Sequence, residues 1–146
     1  MATYCIIINL IDDSKIQIGK LGNIEFKKGY YIYVGSALNS IKGRIERHLR
    51  NEKKLFWHID YLLNSPNSRI KDVIFEKSND KWECEIVEEI AENGTPVNKF
   101  GCSDCKCKSH LFYFKNSHAA DISCLNAFNK FKLKAEKYSN LIKVEK

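Results

Sequence analysis

Residues 30–37, Tyr30-Tyr31-Ile32-Tyr33-Val34-Gly35-Ser36-Ala37, form an apolar run with a glycine near its end, and Arg44, Arg47 and His48 follow it at helical spacing. In an extended chain successive side chains point to opposite faces, so Tyr31 and Tyr33 share one face and Tyr30 and Ile32 the other. Gly35 predicts a tight backbone turn out of this strand. Ile41, Ile45 and Leu49 recur every fourth residue, which predicts an amphipathic helix over about residues 40–51. Arg44 and His48 are one helical turn apart and Arg47 lies on the adjacent row, so all three can project from one flank. Taken singly, the tyrosines are good strand formers and the basic helix is an ordinary solvated face. Taken together, they make a layout suited to phosphate.

Upstream, Tyr4 to Leu10 is isoleucine-rich and reads as a buried strand, and Asp12-Asp13-Ser14 supplies turn chemistry. Two short alternating segments, Lys15 to Gly19 and Asn23 to Lys27, predict an inserted hairpin before Gly29. Downstream, Leu55, Ile59, Leu62 and Leu63 predict a second helix, Arg69 to Glu76 a strand, and Ile86, Val87 and Ile90 the buried face of a third helix with Asp80 as its N-cap. A short strand is expected at Leu111 to Phe114. Ile122, Leu125, Phe128, Leu133 and Leu141 then suggest a basic amphipathic C-terminal helix. The expected fold class is α+β: a small antiparallel or mixed sheet flanked by helices. The expected division is a domain over residues 1–116 and a helical extension over 117–146.

A chain of 146 residues with 44% hydrophobic content suits one compact core better than two. No apolar run approaches the roughly 20 residues of a spanning helix, and no basic-then-apolar leader precedes the first strand, so a cytoplasmic protein is expected. Six cysteines in such a chain are expected as thiols or ligands rather than disulfides. The 24 Lys and Arg against 18 Asp and Glu leave a net charge of +6, which favours polyanionic partners without proving them.

Two further clusters bear chemistry. Of the five glutamates between residues 83 and 92, Glu83 lies three and four positions before Ile86 and Val87, which puts its carboxylate on the apolar face, where it must be paired or coordinated. Glu85 is the fallback. Cys102, Cys105, Cys107 and His110 read C-x2-C-x-C-x2-H, donor types suited to zinc. Four ligands within nine residues lack the usual two separated knuckles, and the competing reading is a structural turn in which Asp104, Ser109 and His110 order the floor of a site. His58 borders the core at helical spacing from Leu55 and Leu62, and Asp60 faces elsewhere.

The residues YVGSALNSIKGRIERH from Tyr33 to His48 resemble the YIG half of the GIY-YIG nuclease domain. The longer matches GYYIYVGSA, RIERHLR, FWHIDYLL, WECEIVEEI and FGCSDCKCKSHLFYF resemble one branch of that superfamily, a largely archaeal and bacterial domain-of-unknown-function family sometimes fused to endonuclease III type glycosylases. The resemblance covers Tyr4 to about Phe114. It implies that Tyr33 is the second-strand tyrosine, Tyr4 its first-strand counterpart, Arg44 the helix arginine and His48 a histidine found in some relatives. Ala2 stands where the usual first-strand glycine would be. Glu83 would hold Mg²⁺ or Mn²⁺, Tyr4 or Tyr33 would orient or deprotonate water, and His48 or His58 would complete a proton relay. Arg47, Arg50 and Lys42 would contact nucleic acid.

The expectation is a divalent-metal-dependent endonuclease that hydrolyses DNA phosphodiesters, in a repair setting. The alternative is a nucleic-acid-binding module that keeps the fold but does not cut. A protein-interaction domain with a basic surface is a third class. RNA stays open as a partner, and zinc as a second metal.

Overall fold

The apolar run Tyr4-Cys5-Ile6-Ile7-Ile8 is continuous rather than alternating because the strand that carries it is covered on both faces. This strand, β1 (Ala2–Leu10), leads into a small two-stranded sheet of β2 (Ser14–Gln17) and β3 (Asn23–Phe26), joined by a 3-10 turn at Gly19–Leu21. Then come β4 (Gly29–Ala37), α1 (Ile41–Leu49), α2 (His58–Leu63), β5 (Ser68–Phe75), α3 (Glu83–Ala91), β6 (Thr95–Pro96), β7 (Leu111–Phe114), α4 (Ser117–Lys130) and β8 (Glu136–Lys137). The structure is a computed structural model and describes residues 1–78, 80–102 and 105–138. Among these, the main sheet runs β6-β7-β4-β1-β5-β8 with every neighbouring pair antiparallel. The fold is thus α+β, with the inserted hairpin where the alternating segments place it.

Even-numbered side chains of β1 (Tyr4, Ile6, Ile8, Leu10) pack with Tyr31 of β4, Ile45 of α1, and Ile59 and Leu62 of α2. Odd-numbered ones (Cys5, Ile7) pack with Ile32 and Val34 of β4, with Ile86, Val87 and Ile90 of α3, and with Ala120, Cys124, Ala127 and Phe128 of α4. The result is three layers, with the sheet between two pairs of helices.

Four local expectations change, the first in the second helix: α2 begins at His58, so Leu55 precedes it and the fully buried apolar residues are Ile59 and Leu62. Gly35 does not turn the chain: it lies inside β4, directly opposite Tyr4 of β1. A Cβ there would come within 2.6 Å of the Tyr4 ring and hydroxyl, so this glycine makes room for a neighbour rather than bending the backbone. Helix α3 starts at Glu83, with Trp82 and not Asp80 at its N-cap. The C-terminal helix starts at Ser117, where the Asn116 side chain accepts from Ala119 N–H, and ends at Lys130. Its buried row is Ala120, Cys124, Ala127 and Phe128, while Ile122 and Leu125 are 44% and 37% exposed. Small residues let this helix approach the sheet closely, which a pattern of large apolar residues does not reveal. Leu133 lies beyond the helix and Leu141 lies outside the described residues. Ala120, Cys124, Ala127 and Phe128 of this helix share a core with Cys5, Ile7, Ile32 and Val34 of the preceding strands. No helix among the described residues is long and apolar enough to cross a membrane.

Candidate functional site

At the end of the sheet where β1 begins and β4 ends, a groove of about 410 Å³ is lined by side chains from both covering layers. Tyr4, Tyr33, Arg44 and His58 reach it from the α1/α2 side, and Glu83 from the first position of α3. Three helices and one strand pair thus bring together five residues that are up to 79 positions apart in sequence (83 minus 4).

The Tyr4 hydroxyl lies 2.7 Å from His48 Nε2, and both residues are buried. His48 stands behind Tyr4 and does not line the groove. Burial drives its pKa down to about 3, with Asp60 opposing and Lys53, Arg47 and Arg44 adding to the fall. The ring is therefore neutral. Its Nδ1 has no hydrogen-bond partner among the described residues. Burial also pushes the hydroxyls of Tyr4 and Tyr33 well above the ordinary phenol value, with Arg44 opposing at both. Tyr33 stacks edge-on against His48 and Phe100, which fixes its ring at the groove wall.

Arg44 Nη1 donates to the Ser36 carbonyl at 3.1 Å, and its guanidinium carbon is 4.6 Å from the centre of the Trp57 ring. Arg47, one turn along the same helix, has a different fate. It donates to both oxygens of Asp60 at 2.9 and 3.0 Å and lies 4.3 Å from the Trp57 ring centre. Asp60 is fully buried and also accepts from the backbone N–H groups of Phe56 and Trp57 at 2.9 and 2.8 Å. Burial opposes ionisation of this carboxyl, but Arg47 and the two amides outweigh it and hold its pKa below the usual value. Asp60 thus does not face away from everything: it caps α2 and ties it to α1. Arg47 belongs to this tie and not to the groove. Lys42 pairs with Glu46 at 3.6 Å on the outer face of α1, and Arg50 follows the helix end, beside a different hollow with Lys53 and Arg69. The structure therefore brings Arg44 to the site and leaves Lys42, Arg47 and Arg50 outside it.

His58 Nδ1 accepts from Gly101 N–H at 2.8 Å, so the neutral ring carries its proton on Nε2 and is a donor. Gly101 has φ of +72°, a conformation glycine adopts without strain, and a Cβ there would lie 3.2 Å from His110 and 3.4 Å from Tyr33. Glu83 is held on both oxygens: Oε1 accepts from Ser36 Oγ at 2.8 Å, and Oε2 is 2.9 Å from His110 Nδ1. Burial works against its ionisation, but His110 and Ser36 outweigh it and lower its pKa. In return, and against its own burial, His110 is raised to about 9, chiefly by Glu83. The expected pairing of a core-directed glutamate is met by these two groups.

Among the cysteines, Cys105 Sγ lies 3.1 Å from His110 Nε2. Cys107 Sγ faces Cys84 Sγ at 3.3 Å, and Cys102 donates to the Phe100 carbonyl at 3.4 Å. All six thiols are free. Ser109 is buried and hydrogen-bonded to the backbone of Leu111, while Asp104 lies outside the described residues. Sequence patterning missed Ser36, Phe56, Trp57, Lys81 and Cys84, all of which border the groove. Trp57 sits inside FWHIDYLL, and its adjacency to two arginines would have been readable only from the packing of α2 on α1.

One family model, described as Domain of unknown function DUF123, matches residues 3–133. No curated protein and no solved structure matches the chain significantly.

Proposed function

We propose, from the premise that the chain belongs to the DUF123 family, that its groove is a phosphodiester-hydrolysing site of the GIY-YIG type acting on DNA. The observation that carries this reading is the meeting of Tyr4, Tyr33, Arg44, His58 and Glu83 around one groove, in the roles that the resemblance of Tyr33 to His48 assigns them. Lys81 and Arg44 give the groove cations beside Glu83.

Arg44 keeps guanidinium N–H groups beyond the one given to Ser36, and these neutralise charge on the phosphoryl oxygens. His58, as a neutral donor at Nε2, adds a hydrogen bond to the same phosphate. Tyr33 and Tyr4 orient the attacking water. Because their phenols resist ionisation, the two tyrosines position the water rather than deprotonate it, and buried, neutral His48 fixes the Tyr4 hydroxyl for that role. Glu83 fits a hard divalent cation: each oxygen keeps a lone pair after its one hydrogen bond, and such ions take one or two carboxylates with water and phosphate completing the shell. When bound, Mg²⁺ or Mn²⁺ would supply positive charge at the leaving oxygen. Phe56, 73% exposed at the rim, offers a face on which an unpaired base can stack.

The test is Mg²⁺-dependent cleavage of single-stranded, flapped and branched DNA, with an RNA arm. Arg44→Ala and Glu83→Ala are each expected to lower the rate by about 100-fold or more. Unchanged cleavage in both variants would sink the reading. A second reading, a binding module that does not cut, is favoured by the engagement of both Glu83 oxygens by Ser36 and His110. It predicts salt-dependent DNA binding with no cleavage and no effect of Glu83→Ala.

A further inference from the structure

Cys84 precedes the cysteine-rich turn by 18 positions (102 minus 84), yet the fold carries it to the same point in space. Its thiol, with those of Cys105 and Cys107, forms one group whose ligand atoms lie within 4.8 Å of one another; Cys102, Cys105 and His110 form a second group by the same measure. Cys105 is common to both. A tetrahedral zinc ion with Zn–S bonds of about 2.3 Å separates its sulfurs by roughly 3.8 Å, so these spacings need only small side-chain rotations to close on an ion. The chief objection to a metal here was that four donors crowded into nine residues of one loop. Cys84 removes it, because α3 supplies a second, rigid arm opposite the turn, as the two halves of a zinc knuckle do.

We infer that Cys84, Cys105, Cys107 and His110 hold one tetrahedral zinc ion, with Cys105 as its central ligand, α3 clamped to the turn through Cys84, and Cys102 beside the site on the Phe100 carbonyl. The gap between Cys105 Sγ and His110 Nε2 is spanned by a hydrogen bond of 3.1 Å. Zinc takes the place of that proton, and each coordinating thiol releases its own proton to solvent. His110 is set up for this by its other nitrogen. Nδ1–H donates to Glu83 Oε2 at 2.9 Å and to the Val34 carbonyl at 3.1 Å, which fixes the ring and leaves Nε2 for the metal. A carboxylate behind a ligating histidine is the common second layer of zinc sites. The cluster is chemically distinct from any Mg²⁺ or Mn²⁺ position at Glu83, since soft thiolates select zinc and a lone carboxylate does not.

The decisive experiment is metal analysis of the full chain purified under reducing conditions, followed by exchange with Co²⁺. One zinc per chain is expected, and the Co²⁺ form should show thiolate-to-cobalt charge transfer and the intense visible bands of a tetrahedral site. Cys84→Ser and Cys105→Ser should each weaken zinc binding by at least tenfold, judged by competition with a chromophoric chelator. Cys124→Ala, a buried thiol in the other core, should keep the ion. Glu83→Gln should also keep it at one per chain, with affinity lower by about 10- to 100-fold, whether or not the protein cleaves DNA. The inference is overturned if wild-type protein holds no zinc and gives no thiolate–cobalt band. It is equally overturned if Cys84→Ser leaves affinity unchanged, or if intact mass shows Cys84 and Cys107 joined as a disulfide. The wild-type cobalt spectrum needs no variant to fold.

Discussion

On one face of the sheet, α1 and α2 cover large side chains, Tyr4, Tyr31, Phe75 and Ile45 among them, and bury the polar His48 and Asp60 on the same two helices. On the other, α4 lays Ala120, Cys124, Ala127 and Phe128 against Cys5, Ile7 and Ile32, with α3 beside it. The first face partners its buried polar groups, Asp60 with Arg47 and two amides and His48 Nε2 with the Tyr4 hydroxyl. The second is held by close apolar packing. Buried polar groups cost free energy unless fully paired, so their concentration beside the groove marks where this fold gives up packing economy for chemistry.

Breaking the polar tie should cost most. Asp60→Asn leaves Arg47 without its counter-charge at a partly buried site and is expected to lower stability by about 3 kcal/mol, measured by urea denaturation. The same pair makes a pH prediction. The folded Asp60 pKa lies below its unfolded value, so its stabilisation is complete above the ordinary carboxylate range and is lost as pH falls through the folded pKa. The wild type should lose stability with acid more steeply than Asp60→Asn. Gly35→Ala comes next: the new methyl group meets the Tyr4 ring, costing about 2 kcal/mol and displacing the hydroxyl that serves the groove. On the proposed nuclease reading, its cleavage rate should fall by more than its fraction unfolded.

Overpacking the apolar face sharpens the contrast from the other side. Ala127→Leu should destabilise by about 1–2 kcal/mol while, on the proposed nuclease reading, the folded fraction keeps the wild-type rate and DNA affinity. If Ala127→Leu instead reduced cleavage per folded molecule, the division of labour between the faces would be wrong. The smallest effect belongs to Arg50→Ala, which lies outside the groove and should change stability by under about 0.5 kcal/mol and leave the salt slope of DNA binding nearly intact.

Much of this was legible in the sequence. The isoleucine run of β1, the fourfold spacing in α1, the row Ile86, Val87 and Ile90, and the strand Leu111 to Phe114 all read correctly, because period and residue type report which side of an element is covered. Glu83 was legible for the same reason, as a carboxylate on an apolar row. Arg47 was not, since helical spacing places it beside Arg44 and says nothing of Asp60, 13 residues away. The buried row of α4 was hidden because alanine and cysteine carry little apolar signal, while the larger Ile122 and Leu125 face outward.

The sequence by itself thus determined the fold class, the order of most elements and the residue types that meet at the groove. Only the tertiary structure decided that Gly35 exists for Tyr4, that Arg47 belongs to Asp60 and not to a phosphate, and that Cys84 joins the cysteine turn. Each of these is a contact across elements, set by strand register and by the layering of helices on the sheet. Local periodicity reports which face of an element is buried but not what lies on the other side of the interface.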